Sequence, residues 1–167
     1  MNKKVPYHLG LIIDGNRRWA RKRGLLPMLG HEAGYQKVKK MGDWCLARGI
    51  KIVTIYAFSC ENWQRPKREV DFLMKLILRA LIEEIDYFNE RSIRLKIIGQ
   101  AKGLSQEVMK SIKLAEQKTA NNKVALLNLA INYSGRVEIL EAVRAIIRHK
   151  IQANKVDEEL LDRKSVV

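Results

Sequence analysis

Cysteine is scarce in this 167-residue chain: there are two, Cys45 and Cys60. That is too few for a disulfide scaffold, and the absence of C-x-x-C spacing leaves a reducing compartment as the expected setting. Proline (three residues) and glycine (ten) are also sparse, which excludes collagen-like and low-complexity chains. No His/Cys spacing suits a zinc site. No run approaches the roughly 18 consecutive apolar residues of a membrane span, and Met1-Asn2-Lys3-Lys4 opens without the apolar core of a signal peptide. The expected location is therefore cytoplasmic. Acidic residues are the last shortage: 18 Asp and Glu face 32 Lys and Arg, a formal charge of +14. Such an excess attracts anions over several ångströms. Nucleic acid, anionic lipid and diphosphates all satisfy it, and so does a basic surface that only aids solubility.

What is present fits one globular domain over 1–167, with 47% hydrophobic residues and no repeat or linker. Apolar, β-rich runs at 7–13, 50–58, 93–98 and 124–131 alternate with helical patterns at 32–48, 67–91, 106–120, 136–150 and, briefly, 157–162. Strands separated by helices predict an α/β fold, a central mainly parallel sheet flanked by helices on both faces. In such sheets ligands bind beyond the carboxyl ends of the strands, so the connections there carry the chemistry.

The first connection reads Asp14-Gly15-Asn16-Arg17-Arg18-Trp19. Gly15 permits a tight turn, and a helix start after it would offer backbone N–H groups to a diphosphate, with Arg17, Arg18 and Arg21 adding charge. Asp14 fits two roles, a helix N-cap or one carboxylate of a Mg²⁺ site completed by substrate phosphates. The second connection places Ser59, Cys60, Glu61, Asn62, Trp63 and Arg65 together. Arg65 could grip a second diphosphate, or simply pair with Glu61 while Trp63 covers the sheet edge. His31 falls at an expected helix start, as a phosphate donor or a capping or packing residue. The 67–91 pattern is apolar around much of its circumference, from Val70, Leu73, Met74, Ile77, Leu81, Ile85 and Phe88 to Phe72, Leu76, Leu78 and Ile82. Burial with a subunit contact and one wall of a hydrocarbon tunnel both account for it.

Residues 8–19 (HLGLIIDGNRRW), Gly30-His31 with Gly34, residues 56–66 (YAFSCENWQRP) with Glu69-Val70, and residues 129–136 (LAINYSGR) together resemble the cis-prenyltransferase family, the undecaprenyl diphosphate synthases or isoprenyl transferases. The resemblance runs to about Arg163. It implies a homodimeric, Mg²⁺-dependent transferase that condenses isopentenyl diphosphate with an allylic prenyl diphosphate into a cis-polyprenyl diphosphate. Asp14 would hold the metal and assist ionisation. Gly15, Asn16, Arg17, Arg18 and Trp19 would line the allylic diphosphate site. His31, Ser59, Cys60, Glu61, Trp63 and Arg65 would contact substrate, and Asn62 would stand where the family places its proton acceptor, although a carboxamide is a poor base. Peripheral membrane contact for product release also follows, and nucleic acid is not an expected partner.

The family's R-x-S-G-E-x-R-x-S-N motif is not found in the sequence, which reads Arg163-Lys164-Ser165-Val166-Val167 at its end. A last strand and C-terminal helices are expected to be missing with it, leaving the sheet edge after 124–131 exposed. Pro27, Cys60 and Ser134 replace residues common in the family. Two other readings stand beside the enzyme: an inactive, shortened family member acting as a dimerisation subunit, and a basic nucleic-acid-binding domain, the latter lacking any recognised binding motif.

Overall fold

The computed structural model describes residues 5–164, so the start read against a signal peptide and the last three residues lie outside it. In chain order the elements are β1 (His8–Ile12), α1 (Asn16–Arg21), α2 (Pro27–Ala47), β2 (Ile52–Ser59), α3 (Lys67–Glu83), α4 (Ile85–Glu90), β3 (Ile93–Ile98), α5 (Gln106–Thr119), β4 (Ala125–Tyr133), α6 (Gly135–Arg148) and α7 (Glu158–Lys164). All four expected strands form, shifted by no more than two residues at either end. They make one parallel sheet in the order β1-β2-β4-β3, flanked by helices.

Two helices depart from the sequence pattern. Helix α2 begins at Pro27, five residues before the expected start. Proline is well placed there, because its fixed φ suits the first helical position and its missing N–H is not needed. Gly30 and Gly34 look like helix breakers, but they lie inside α2 where α1 crosses it. The 67–91 pattern divides at Glu84 (φ −95°, ψ 3°) into α3 and α4. Glu84 is turned there onto α2, its Oε1 accepting from the Tyr35 hydroxyl at 2.6 Å and from Lys39 Nζ at 2.8 Å.

The expected edge is also corrected. Strand β4 is not at the rim but between β2 and β3, paired on both sides. The rims are β1 and β3, and β3 is covered by α5: Leu95 N–H donates to Thr119 Oγ1 (3.1 Å) and Ile97 N–H to Glu116 Oε1 (2.8 Å). Side chains thus satisfy ladder groups that would otherwise template strand addition. Ser105 caps α5 by accepting from Val108 N–H.

Alternation along the strands puts Ile93, Leu95, Leu127 and Leu129 on the face that α2 to α5 cover, where Leu81, Ile85, Phe88 and Ala115 complete the core. A second cluster of Phe58, Val70, Leu73 and Ile131 sits under the start of α3, near the carboxyl ends of the strands. The α3 stripe therefore buries as its periodicity demands, and only Ile82 among the widening residues is strongly exposed, at 54%.

Candidate functional site

The turn after β1 is built around Gly15 at φ 90°, a conformation that costs a side-chain-bearing residue energy. Asp14 is not the N-cap of α1; Gly15 holds that position. The Asp14 carboxylate instead accepts from Gly15 N–H (2.6 Å) and from Arg18 Nη2 (3.0 Å), and these donors, the backbone one foremost, hold its pKa below the usual 3.8. Asp14 is exposed and ionised at neutral pH. Helix α1 spans only six residues, so its dipole is weak and the arginines, more than the helix end, supply positive charge to the turn.

Helix α1 is pressed onto α2 through glycine. A Cβ at Gly30 would stand 2.2 Å from the Asn16 carbonyl oxygen, and one at Gly34 would stand 2.6 Å from the Asn16 side chain. The Gly30–Gly34 spacing of one helical turn is thus the seat of the Asp14 turn.

Glu69, only 4% exposed, is the organising residue that reading the site from sequence missed. Its Oε1 meets His31 Nε2 at 3.0 Å, Arg65 Nη1 at 3.1 Å and Arg17 Nε at 3.5 Å. One buried carboxylate therefore gathers two arginines and a histidine from three elements, and leaves an excess of positive charge. Arg17 Nε is buried and makes no hydrogen bond among the described residues, a donor held ready for an anion. His31 lies within α2, not at its start, and is packed against Glu69. The available signal was an acid in the first turn of α3, three residues after Pro66 and four beyond Arg65.

After β2 a 3-10 turn, Cys60–Gln64, carries the second loop. Asn62 Oδ1 accepts from Ser59 N–H at 3.1 Å, so its carbonyl is spent on capping and its amide nitrogen is the end left to act as a donor. Glu61 does not pair with Arg65; its carboxylate is held low by its own backbone N–H and the Ser59 hydroxyl. Trp63 packs edge-on against Phe58 and donates to Asn132 Oδ1 at 2.7 Å. Asn132 (φ 53°) donates in turn to the carbonyls of Gln100 (2.9 Å) and Lys102 (2.7 Å). It ties the end of β4 to the loops that follow β2 and β3. Cys60 donates to the Asn132 carbonyl, and burial raises its pKa, so it remains a thiol.

These loops stand over a cavity of about 350 Å³, within the range of small-molecule sites, roughly 300–1,000 Å³. Asp14, Gly15, Asn16, Arg17, His31, Ser59, Asn62 and Arg65 line its polar mouth. Leu73, Ile77, Val53, Ile55, Leu127 and Leu129 line the apolar body behind them, and Cys45, Ile50, Phe88 and Ile93 its far end. Eight of the thirteen residues singled out from sequence are thus brought to one opening. Arg18 joins them through Asp14. Trp19, beneath the Arg23 guanidinium at 4.3 Å, and Cys60, Glu61 and Trp63 do not line the cavity. No group of three or more His, Cys, Asp or Glu residues that could hold a metal occurs among the described residues. Asp14 nonetheless fits Mg²⁺, a hard cation commonly held by one carboxylate and substrate phosphates.

Comparison with known proteins places this architecture. The Prenyltransf (undecaprenyl diphosphate synthase) family matches residues 12–166. A ditrans,polycis-undecaprenyl-diphosphate synthase of Legionella pneumophila, specific for (2E,6E)-farnesyl diphosphate, is 44% identical over 160 residues, covering 96% of this chain and 67% of that protein. An isoprenyl transferase of Clostridium perfringens is 39% identical over 163 residues, covering 95% and 64%. The crystal structure of lavandulyl diphosphate synthase from Lavandula x intermedia in complex with dimethylallyl diphosphate superposes with a TM-score of 0.90 at 33% identity, covering 96% and 70%. The chain thus spans about two thirds of these relatives' length.

Proposed function

The chain belongs to the undecaprenyl diphosphate synthase family of prenyltransferases, and from that premise we propose that it condenses isopentenyl diphosphate with an allylic prenyl diphosphate to give a cis-polyprenyl diphosphate. The observation that carries this reading is the joining of a cationic mouth to an apolar cavity. An amphiphile with a diphosphate head and a hydrocarbon tail needs that arrangement, and a nucleic acid does not.

In the reaction the C–O bond of the allylic diphosphate breaks and pyrophosphate leaves. A C–C bond forms to the terminal alkene carbon of isopentenyl diphosphate, and a proton is lost as the cis double bond appears. Arg17 and Arg65, held by Glu69, bind phosphate oxygens in a site partly shielded from water, where their charge counts for more. Gly15 lets the backbone approach the head group, and Asn16, fixed between α1 and α2, orients it. The Asn62 amide donates to the diphosphate and positions the departing pyrophosphate, the base of the site, for the proton. Asp14 would hold Mg²⁺ against the allylic diphosphate, and the metal would supply Lewis-acid stabilisation of the leaving group. The carbon chain lies along the α3 side of the cavity, excluded from water.

The enzyme works as a homodimer, supported by the apolar stripe that α6 exposes through Ile139, Leu140, Val143 and Ile147. A cytoplasmic setting agrees with the two free cysteines. Among the described residues no helix is long and apolar enough to cross a membrane.

The test is incubation of the purified chain with radiolabelled isopentenyl diphosphate, farnesyl diphosphate and Mg²⁺, followed by butanol extraction and chain-length analysis. Labelled polyprenyl product is expected, and Asp14→Ala should lower incorporation roughly 100-fold or more, the scale of losing a main charge-stabilising group. Full activity in Asp14→Ala would remove that residue from the chemistry. No product from the unaltered chain would remove the proposed reaction.

A further inference from the structure

The 3-10 turn after β2 has two working sides. In such a turn, side chains three residues apart stand over one another, and Ser59, Asn62 and Arg65 accordingly all line the cavity mouth. Cys60 and Trp63 share another side, away from the cavity, and Asn132 holds both. The Cys60 thiol donates to the Asn132 carbonyl at 3.3 Å, and Trp63 Nε1 donates to its Oδ1 at 2.7 Å. One residue of β4 thus grips the back of a turn whose front faces the cavity.

Asn132 is firmly set for that grip. It is buried, and it has no partner in the strand ladder: Phe58 pairs with Ile131 and Ser59 with Tyr133, which leaves Asn132 as the extra residue of a bulge. Bulges beside functional clefts re-aim side chains. Its φ of 53° is a left-handed conformation that asparagine adopts more readily than most residues. Its amide nitrogen is committed to the Gln100 and Lys102 carbonyls, and its own carbonyl also accepts from Gln100 N–H at 3.2 Å. The side chain therefore cannot rotate without breaking several bonds at once. The loop after β3 also reaches the indole, since a Cβ at Gly103 would lie 3.8 Å from the Trp63 ring. Closing the bulge alone would call for the bonds to Gln100 and Lys102, but not for those from Cys60 and Trp63.

We infer that Asn132 is a positioning residue, which acts through Cys60 and Trp63 to aim Asn62 and Arg65 at a phosphate group in the mouth. The inference rests on the function proposed above in taking that group to be a diphosphate. Among the described residues the Arg65 side chain has one hydrogen-bond partner, Glu69, through Nη1. A planar guanidinium tethered at one nitrogen can still swing, so the setting of the turn decides where its other donors point.

The test is calorimetric titration of the whole chain with inorganic pyrophosphate, Mg²⁺ present. Trp63→Phe keeps a ring against Phe58 and removes the N–H that Asn132 holds. It should weaken pyrophosphate binding about tenfold, the scale of one hydrogen bond to a charged group. In an Asn62→Ala/Arg65→Ala background the same change should cost less than about twofold, because its effect passes through the residues already removed. Asn132→Gly, which keeps the left-handed backbone without strain, should weaken binding at least as much as Trp63→Phe. Thr119→Val, which removes a buried hydrogen bond beside β3, is the control for stability: it should lower the melting temperature and leave the affinity unchanged. Circular dichroism establishes that the variants are folded, and Trp63→Phe carries the test if Asn132→Gly is not. Unchanged affinity in Trp63→Phe, an equal loss in both backgrounds, or a matching loss in Thr119→Val would overturn the proposal. So would an unaltered chain that does not bind pyrophosphate. The expected pattern in a chain without turnover would remove the transferase reaction and uphold the positioning role, whereas undiminished turnover by Trp63→Phe would remove the positioning role and leave the reaction standing.

Discussion

At the scale of single residues, the site is arranged by one buried acid. Taking Glu69 out of water is costly, and the cost is met only because two hydrogen bonds, from His31 and Arg65, and an ion pair with Arg17 converge on the same oxygen. Replacing it with leucine would leave His31, Arg17 and Arg65 facing one another across a partly buried space. Glu69→Leu should therefore destabilise the fold by about 3 kcal/mol, the lower end for losing one member of a buried pair, because Arg17 and Arg65 are partly exposed. Urea denaturation would measure this; an unchanged midpoint would mean that the cations hold their places without the acid. Asp14, Arg17 and Arg65 stood out as candidates because charged groups cluster after the strands, and the structure brings all three to one opening. Glu69 did not, since an acid in a helix's first turn is ordinary. Only its burial and its three partners set it apart.

At the scale of elements, the contact between α1 and α2 decides where the Asp14 turn sits. Both helical glycines are tight there, but they meet different obstacles. A Cβ at Gly30 strikes backbone, the Asn16 carbonyl, which cannot swing aside. Gly30→Ala should cost about 1–3 kcal/mol of stability through overpacking. A Cβ at Gly34 strikes the end of the Asn16 side chain, which can rotate away. Gly34→Ala should keep stability within about 1 kcal/mol, helped by alanine's better helix propensity, while raising KM for the allylic diphosphate as Asn16 leaves the mouth. Thermal melts and steady-state kinetics on the pair separate the two effects, and an identical pattern in both variants would refute the distinction. Gly30 explains why periodicity placed the start of α2 too late. In sequence a glycine reads as a helix breaker, and its use as a crossing point appears only when the second helix is in view. The break at Glu84 was hidden for a similar reason: the apolar stripe continues across it, and the hydrogen bonds to Tyr35 and Lys39 come from another element.

For the whole molecule, charge and apolar surface are distributed unevenly. The strand carboxyl ends gather Arg17 and Arg65 around a cavity, and the amino ends carry the exposed Lys51, Arg94, Lys96 and Lys123. Helix α6 turns Ile139 (59% exposed) and Ile147 (69%) outward. A homodimer closed over that stripe should become monomeric in Ile139→Lys/Ile147→Lys, as read by sedimentation equilibrium. A dimer that persists in the double variant would place the interface elsewhere.

The sequence by itself determined the four strands, their parallel α/β arrangement and the polar candidates in the loops after β1 and β2, because period-two and helical hydrophobic patterns and strand-end polarity are local properties of the chain. Tertiary structure alone decided that β4 lies inside the sheet with α5 sealing β3, that Asn62 spends its carbonyl on Ser59, and that Glu69 gathers its three partners. Those are facts of pairing between distant segments, and no local pattern encodes which distant group will arrive to satisfy a hydrogen bond or a charge.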